Sequence, residues 1–148
     1  MKNTYRSKSA FGKRIEYHVI GKMLTEGIDV YIPLVDDHGV DAIIKKSDGT
    51  FIEIQIKARS KNVLKSDAAL FAGIEHEQTN NYYFVFYSQI LDKTWIMSSK
   101  QFINRSRINK KGKNKGKRNI QFNGMKNKNP YAKEEYNKYL VNDFSMFY

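Results

Sequence analysis

Polar side chains that suit metal-assisted chemistry recur on one face of a strand predicted over residues 50–59. In this segment, TFIEIQIKAR, isoleucines alternate strictly with Glu53, Gln55 and Lys57. Because successive side chains of a strand point to opposite faces, these three residues share one face. The preceding segment, VDAIIKK, is predicted to form the other strand of a hairpin, since a short glycine-containing turn joins the two. Cross-strand pairing would then bring Asp41 beside Gln55 and Lys57.

This cluster offers the donor types needed for metal-assisted hydrolysis of a phosphodiester bond. Mg²⁺ takes oxygen ligands, often one or two carboxylates with water and substrate phosphate, and Mn²⁺ is an alternative ion for the same donors. Asp41, Gln55 and Glu53 would supply these oxygens, and the bound ion would polarise the phosphoryl group and lower the pKa of bound water. Lys57 would orient that water or stabilise developing negative charge. Glu16, on a predicted helix, would add a further carboxylate.

Other interpretations of these residues stay open at this point. The segment 50–59 is also compatible with an ordinary half-exposed strand whose polar side chains face water. Asp36 or Asp37 could supply the carboxylate in place of Asp41, although aspartates before a glycine commonly form turns. The three histidines show no zinc-site spacing, and the chain lacks the GxxxxGK[ST] and GxGxxG phosphate-binding motifs.

The positive charge of the chain is concentrated in one segment, residues 104–129. This segment holds ten basic and no acidic residues, whereas the rest of the chain holds 16 basic and 15 acidic residues within a net charge of +11. Its composition predicts a mobile basic loop that contacts the phosphates of DNA without reading bases, and RNA would serve equally. The alternative is a solvated loop. The residues predicted to bind nucleic acid are Arg105, Arg107, Lys110, Lys111, Lys113, Lys115, Lys117 and Arg118.

The elements that must position these residues are predicted from hydrophobic periodicity. Their order is a helix over 9–26, strands over 28–35, 40–46 and 50–59, a polar region over 61–81 with a helical turn near 68–71, strands over 82–89 and 94–97, a short helix over 98–103, a short strand over 119–123 and a helix after Pro130. This order predicts an α/β fold with a mixed central β-sheet flanked by helices. Without an internal linker, we expect residues 1–148 to form one domain.

Composition narrows the class of protein further. The chain is 41% hydrophobic and 14% aromatic, which is too apolar for a disordered chain. It contains no cysteine, which excludes disulfides, thiolate metal sites and a catalytic thiol. No apolar run is long enough to span a bilayer, and the first residues lack the apolar stretch of a secretory signal. We therefore expect a cytoplasmic protein without a membrane partner.

The segment over residues 9–59 resembles the PD-(D/E)xK nuclease superfamily. Its pattern is most similar to archaeal-type Holliday junction resolvases and relatives with a Q-x-K ending. These proteins have a helix glutamate, an aspartate at the start of a strand, and an acidic residue two before a lysine on the next strand. Glu16, Asp41, Gln55 and Lys57 match this order. Two positions depart from the pattern, because Val40 replaces the proline and Gln55 replaces the second acid.

The resemblance implies a restriction-endonuclease-like fold and an Mg²⁺-dependent endonuclease acting on a DNA junction, duplex or restriction-type substrate. Because a protomer offers one cluster, cutting both strands of a duplex would require a homodimer. Two alternatives remain: a non-catalytic nucleic-acid-binding protein that retains the fold, and a protein-interaction or immunity-type module.

Overall fold

The computed structural model describes residues 7–35 and 39–148 of the chain. Two α-helices and eleven strands follow one another in this part. Their bounds are α1 Lys8–Thr25, β1 Asp29–Tyr31, β2 Ala42–Lys45, β3 Phe51–Arg59, β4 Leu70–Ile74, β5 Tyr82–Ser88, β6 Lys93–Ser98, α2 Ser99–Arg105, β7 Arg107–Ile108, β8 Arg118–Gln121, β9 Asn123–Lys126, β10 Asn129–Ala132 and β11 Leu140–Val141, with 3₁₀ turns at Lys65–Asp67, Glu134–Tyr139 and Ser145–Phe147.

Six strands form the central sheet in the order β1-β2-β3-β5-β6-β11. The β3–β5 pair is parallel and the other pairs are antiparallel, so the sheet is mixed. Strands β4, β8 and β7 form a second sheet, and β9 and β10 form a hairpin. The predicted α/β fold, with a mixed sheet flanked by helices, is confirmed.

Helix α1 packs on the isoleucine face of β3. The Ser7 side chain caps its N-terminus by accepting from the backbone N–H of Ala10, and the helix gives way to Gly27, whose positive φ of 83° suits glycine. Its buried residues Val19, Ile20 and Met23 join the β3 isoleucines in one hydrophobic cluster. Amphipathic spacing in α1 and period-two spacing in β3 together produce this layer.

The opposite face of the sheet is covered by an aromatic cluster. Phe84 and Phe86 of β5 stack with ring centroids 5.5 Å apart, and both contact Phe102 of α2. A capping box fixes the start of α2, since the Ser98 and Gln101 side chains bond each other's backbone N–H. With apolar side chains on both faces, β5 is buried as predicted for a central strand.

Several predicted elements differ in the structure. The strand predicted over 28–35 shortens to the three residues of β1, and the polar region over 61–81 contains strand β4 beside a 3₁₀ turn. Instead of a C-terminal helix, 3₁₀ turns and the short β11 follow Pro130. Tyr136 and Tyr139 are three residues apart and buried, and this spacing fits a 3₁₀ turn as well as an α-helix.

The basic segment 104–129 contains strands and buried residues, whereas the sequence predicts a loop. It contains the β7–β8 hairpin, β9 and the connecting turns. Ile120 and Phe122 are buried, and the Phe122 ring stacks on Trp95 with centroids 4.6 Å apart. Their period-two spacing is a strand signal that the surrounding lysine, asparagine and glycine residues conceal. Within the described residues, no helix is long and apolar enough to cross a membrane.

Candidate functional site

Asp41 lies where β2 leaves its regular pairing with β3. In the ladder Ala42 faces Ile54, but the N–H of Asp41 donates to Ile54 C=O at 2.8 Å, one residue out of register. The carboxylate then replaces a backbone acceptor, since Asp41 Oδ2 accepts the N–H of Ile56 at 2.7 Å. Asp41 therefore lies beside β3 at the point between Gln55 and Lys57.

The side chains of Gln55 and Lys57 share the face of β3 that points away from α1. In the parallel register Gln55 pairs with Phe84 and Lys57 with Phe86, and paired residues of adjacent strands point to the same side. Lys57 is half-buried and forms neither a hydrogen bond nor an ion pair with the residues that the structure describes. Its ammonium group is thus not neutralised by a described carboxylate.

A network around Tyr82 holds Gln55. The Tyr82 hydroxyl lies 2.6 Å from the carbonyl oxygen of Gly39 and 3.0 Å from Gln55 Oε1. Gln55 also lines an open cavity of about 430 Å³. The other residues lining this cavity are Gly39, Glu53, Glu75, His76, Glu77, Thr79 and Tyr82. Three carboxylates and one amide oxygen around this cavity favour a cation over an anion.

Glu16 lies on α1, which packs on the isoleucine face of β3, whereas Gln55 and Lys57 occupy the opposite face. The Oε2 of Glu16 accepts from Lys13 Nζ at 3.0 Å, one turn away on the helix. The hydrogen bond and charge of Glu16 raise the pKa of Lys13 above its ordinary value, and the negative charge of Asp41 adds to this effect. Lys13 therefore lies close enough to both carboxylates to sense their charges. Glu53 lies on the opposite face of β3 from α1 and lines the cavity with Gln55.

The donor set of this cluster fits a hard divalent cation with incomplete protein coordination. Among the described residues, no three His, Asp or Glu side chains stand close enough together to hold a metal. Asp41 and Gln55 would supply one carboxylate and one amide oxygen, and Glu53 could add a carboxylate from the cavity. This matches the tendency of Mg²⁺ to bind few protein oxygens and to retain water or substrate phosphate. Asp36, Asp37 and His38 lie outside the described residues.

Sequence reasoning missed three residues of the site: Gly39, Tyr82 and His76. His76 Nε2 lies 2.6 Å from Ser99 Oγ, and its ring packs 4.8 Å from that of Tyr82. Burial, and secondarily the positive charge of Arg118, lower the pKa of His76 below its ordinary 6.5. A single histidine in a polar stretch carries no spacing signal, so local sequence patterns offer no means to find it.

The predicted nucleic-acid-binding residues fall into two groups. Four lysines in the turn between β7 and β8 are exposed and unpaired among the described residues: Lys110, Lys111, Lys113 and Lys115. Arg107 is also exposed, and Lys117 is half-buried. Arg118, by contrast, donates to Ile103 C=O at 3.2 Å and to Ser106 Oγ at 3.3 Å. Arg105 stacks over the Tyr136 ring at 4.7 Å. Both arginines therefore already have structural contacts.

Strand β4 connects this basic hairpin, residues 107–121, with the cavity. Ile74 pairs with Arg118 in the β4–β8 ladder. At the tip of the hairpin, the position that a Cβ on Gly73 would occupy lies 3.6 Å from Asn114 Oδ1. The next residues along the chain, Glu75 and His76, line the cavity with Gln55. The residue that faces the hairpin tip, Gly73, and the residues that line the cavity are therefore close neighbours along the chain.

Comparison with known proteins identifies a structural neighbour. The structure of a bacterial homing endonuclease, I-Ssp6803I, superposes with a TM-score of 0.62 at 17% sequence identity, covering 90% of this chain and 88% of that chain. No protein-family model matches the sequence, and no curated protein matches it. At this level of identity the likeness shows a shared fold.

Proposed function

We propose that this protein is a metal-dependent DNA endonuclease that hydrolyses phosphodiester bonds. The observation that carries the proposal is the position of the Asp41 carboxylate, which is bonded to the N–H of Ile56 between Gln55 and Lys57. The structural neighbour is a homing endonuclease, and the chain shares that fold over most of its length. The PD-(D/E)xK resemblance of Glu16, Asp41, Gln55 and Lys57 supports the same function.

Asp41 and Gln55 would hold Mg²⁺ or Mn²⁺, with Glu53 as a further donor. The ion, when bound, would act as a Lewis acid toward the phosphate and would lower the pKa of its bound water. Asp41 is pre-oriented for this role because the hydrogen bond from the Ile56 backbone N–H holds its carboxylate beside β3. The Lys57 ammonium would orient the attacking water or stabilise negative charge on the phosphate. Glu16 would assist by keeping Lys13 paired beside Asp41.

The basic hairpin would supply affinity for the DNA backbone. Its four exposed lysines, which end the second sheet near the cavity, can each neutralise a phosphate and release counterions. A duplex carries one negative charge per roughly 1.7 Å of its axis, so a backbone that contacts the hairpin also offers phosphates within reach of the cavity. Such contacts would position the scissile phosphate without selecting a sequence.

Cleavage of plasmid, oligonucleotide junctions and RNA with Mg²⁺, Mn²⁺ or EDTA tests the proposal. Asp41→Asn retains an acceptor oxygen for the N–H of Ile56 but removes the charge, and Lys57→Ala removes the ammonium. We expect each to reduce metal-dependent DNA cleavage by roughly 100-fold or more. Asp48→Asn and Lys45→Ala, at exposed positions of the same hairpin, are the matched controls and should cleave normally. Circular dichroism should show all four variants folded.

Two results would contradict the proposal. The roles of the site residues would be wrong if Asp41→Asn and Lys57→Ala cleaved as the wild type does. Wild-type protein that binds DNA but cuts no nucleic acid with any divalent ion would instead favour the non-catalytic binding protein. The residue at position 55 favours that alternative. Gln55 has an amide where the pattern has a second acid, which removes one negative charge from the metal site.

A further inference from the structure

Within residues 7–35 and 39–148, two acceptors lie within hydrogen-bond distance of the Tyr82 hydroxyl, which has a single hydrogen to donate. The Gly39 carbonyl oxygen lies 2.6 Å from this hydroxyl, and the Gln55 amide lies 3.0 Å from it. A carbonyl oxygen can only accept, and its contact is the shorter one, so the hydroxyl hydrogen belongs to Gly39. The hydroxyl oxygen then keeps lone pairs that can only accept from Gln55.

The direction of the Tyr82 hydrogen bonds decides which atom of the Gln55 amide faces Tyr82. Amide oxygen and nitrogen are assigned from the hydrogen-bond network. With the hydroxyl acting as an acceptor, the NH₂ group of Gln55 must face Tyr82, and the carbonyl oxygen takes the other position of the amide. The oxygen is then freed from Tyr82 and can serve as a ligand.

The freed position lies against Gly39. A Cβ built on Gly39 would stand 3.1 Å from it, and the φ of Gly39 is +65°, which disfavours any residue with a side chain. A glycine here leaves room beside the amide and lets the backbone carbonyl reach Tyr82. The missing side chain and the carbonyl oxygen of Gly39 thus both support this orientation of the Gln55 amide.

We propose that Tyr82 is a positioning residue that, through the Gly39 carbonyl, turns the Gln55 carbonyl oxygen toward a bound divalent cation. The cation role rests on the proposed function, whereas the amide orientation is a property of the folded chain alone. Tyr82 is 5% exposed, so its hydroxyl bonds are shielded from competing water.

Side-chain amide resonances of the 17.3 kDa protein measure this orientation without cleavage. In ¹⁵N–¹H spectra, the Gln55 NH₂ pair is assigned by its loss in Gln55→Glu. We expect one of its two protons to be shifted downfield and to exchange slowly in the wild type. Tyr82→Phe should return the pair to the shifts of solvent-exposed glutamines. Tyr83→Phe is the matched control, because Tyr83 is the adjacent tyrosine and packs on Phe147 on the other face of the sheet.

An unchanged Gln55 NH₂ pair in Tyr82→Phe would overturn the inference, as would an equal change in Tyr83→Phe. A double-mutant cycle of Tyr82 and Gln55, measured by DNA cleavage, provides the second test. A carboxylate has acceptor oxygens on both sides, so Tyr82→Phe should reduce cleavage about tenfold in the wild type but less than about threefold in a Gln55→Glu background. Equal losses in the two backgrounds would contradict a positioning role.

Titration with Mg²⁺ separates this inference from the proposed function. We expect Mg²⁺ to move the Gln55 NH₂ pair of the wild type and to do so at higher concentration in Tyr82→Phe. If Mg²⁺ leaves the pair unmoved and no cleavage occurs, the proposed metal site fails. The effect of Tyr82→Phe on the pair still decides the orientation in that case.

Discussion

Neutralising the four exposed lysines of the basic hairpin should reduce the salt dependence of DNA binding by a calculable amount. The variant replaces Lys110, Lys111, Lys113 and Lys115 with glutamine. Each phosphate contact contributes about 0.9 to the slope of log affinity against log salt, so four contacts contribute about 3.6. Between roughly 50 and 200 mM salt, the wild type should therefore lose about 150-fold more affinity than the variant.

Fluorescence anisotropy with duplexes of unrelated sequence, at several salt concentrations, measures this slope. Affinity should fall equally for all sequences, because phosphates carry no sequence information. The matched control neutralises four exposed lysines elsewhere in the chain: Lys22, Lys65, Lys93 and Lys100. Its slope should stay near that of the wild type. A hairpin variant with the wild-type slope would show that the hairpin is only a solvated surface.

Arg118 should behave differently from these lysines despite its equal charge. Its guanidinium bonds Ile103 C=O and Ser106 Oγ in a partly buried position, so Arg118→Gln should lower the free energy of unfolding by roughly 1–2 kcal/mol. The four-lysine variant should change it by less than about 0.5 kcal/mol. Urea unfolding compares the two. An Arg118→Gln variant of normal stability with a reduced salt slope would refute the structural role assigned here. Two further predictions concern pH and assembly. Because burial, and then the charge of Arg118, lower the pKa of His76 in the folded state, the unfolded state binds the proton more readily below pH 6.5. The free energy of unfolding should fall as pH drops below about 6.5, and His76→Gln should flatten that part of the urea-unfolding profile. If two copies act on the two strands of a duplex, light scattering should give twice the 17.3 kDa protomer mass, and a monomer both free and on DNA would reject the homodimer.

The sequence predicts elements best where one periodicity prevails over a whole element. The amphipathic pattern of α1 and the alternation of β3 predict both bounds to within about one residue. Strand β4 is missed because its alternation is interrupted: Gly73 adopts a positive φ, and the pairing with β8 shifts between Phe71 and Ile74. A bulge of this kind removes the regular signal without removing the strand.

The candidate site can be predicted only as far as its residues lie close together in the sequence. Its charged and amide groups are predictable from local alternation, since Gln55 and Lys57 lie on one strand. Tyr82 belongs to the strand predicted over 82–89, and nothing local indicates that its hydroxyl reaches back to Gly39, 43 residues earlier. The aromatic C-terminus is equally compatible with a self-interaction surface, yet Phe144 and Phe147 are buried in the protomer's own core. Contacts of this kind depend on tertiary packing.

The central sheet offers other chains very little edge. Its outer strands are β1, with three residues, and β11, with two. Pro33 lies two residues beyond β1 and has no N–H to donate, so the exposed edge cannot extend far in that direction. Short edges of this kind protect against strand addition and amyloid-like aggregation. Strand β5 has seven residues, most of them aromatic. It lies between β3 and β6, so another copy of the chain cannot pair with it.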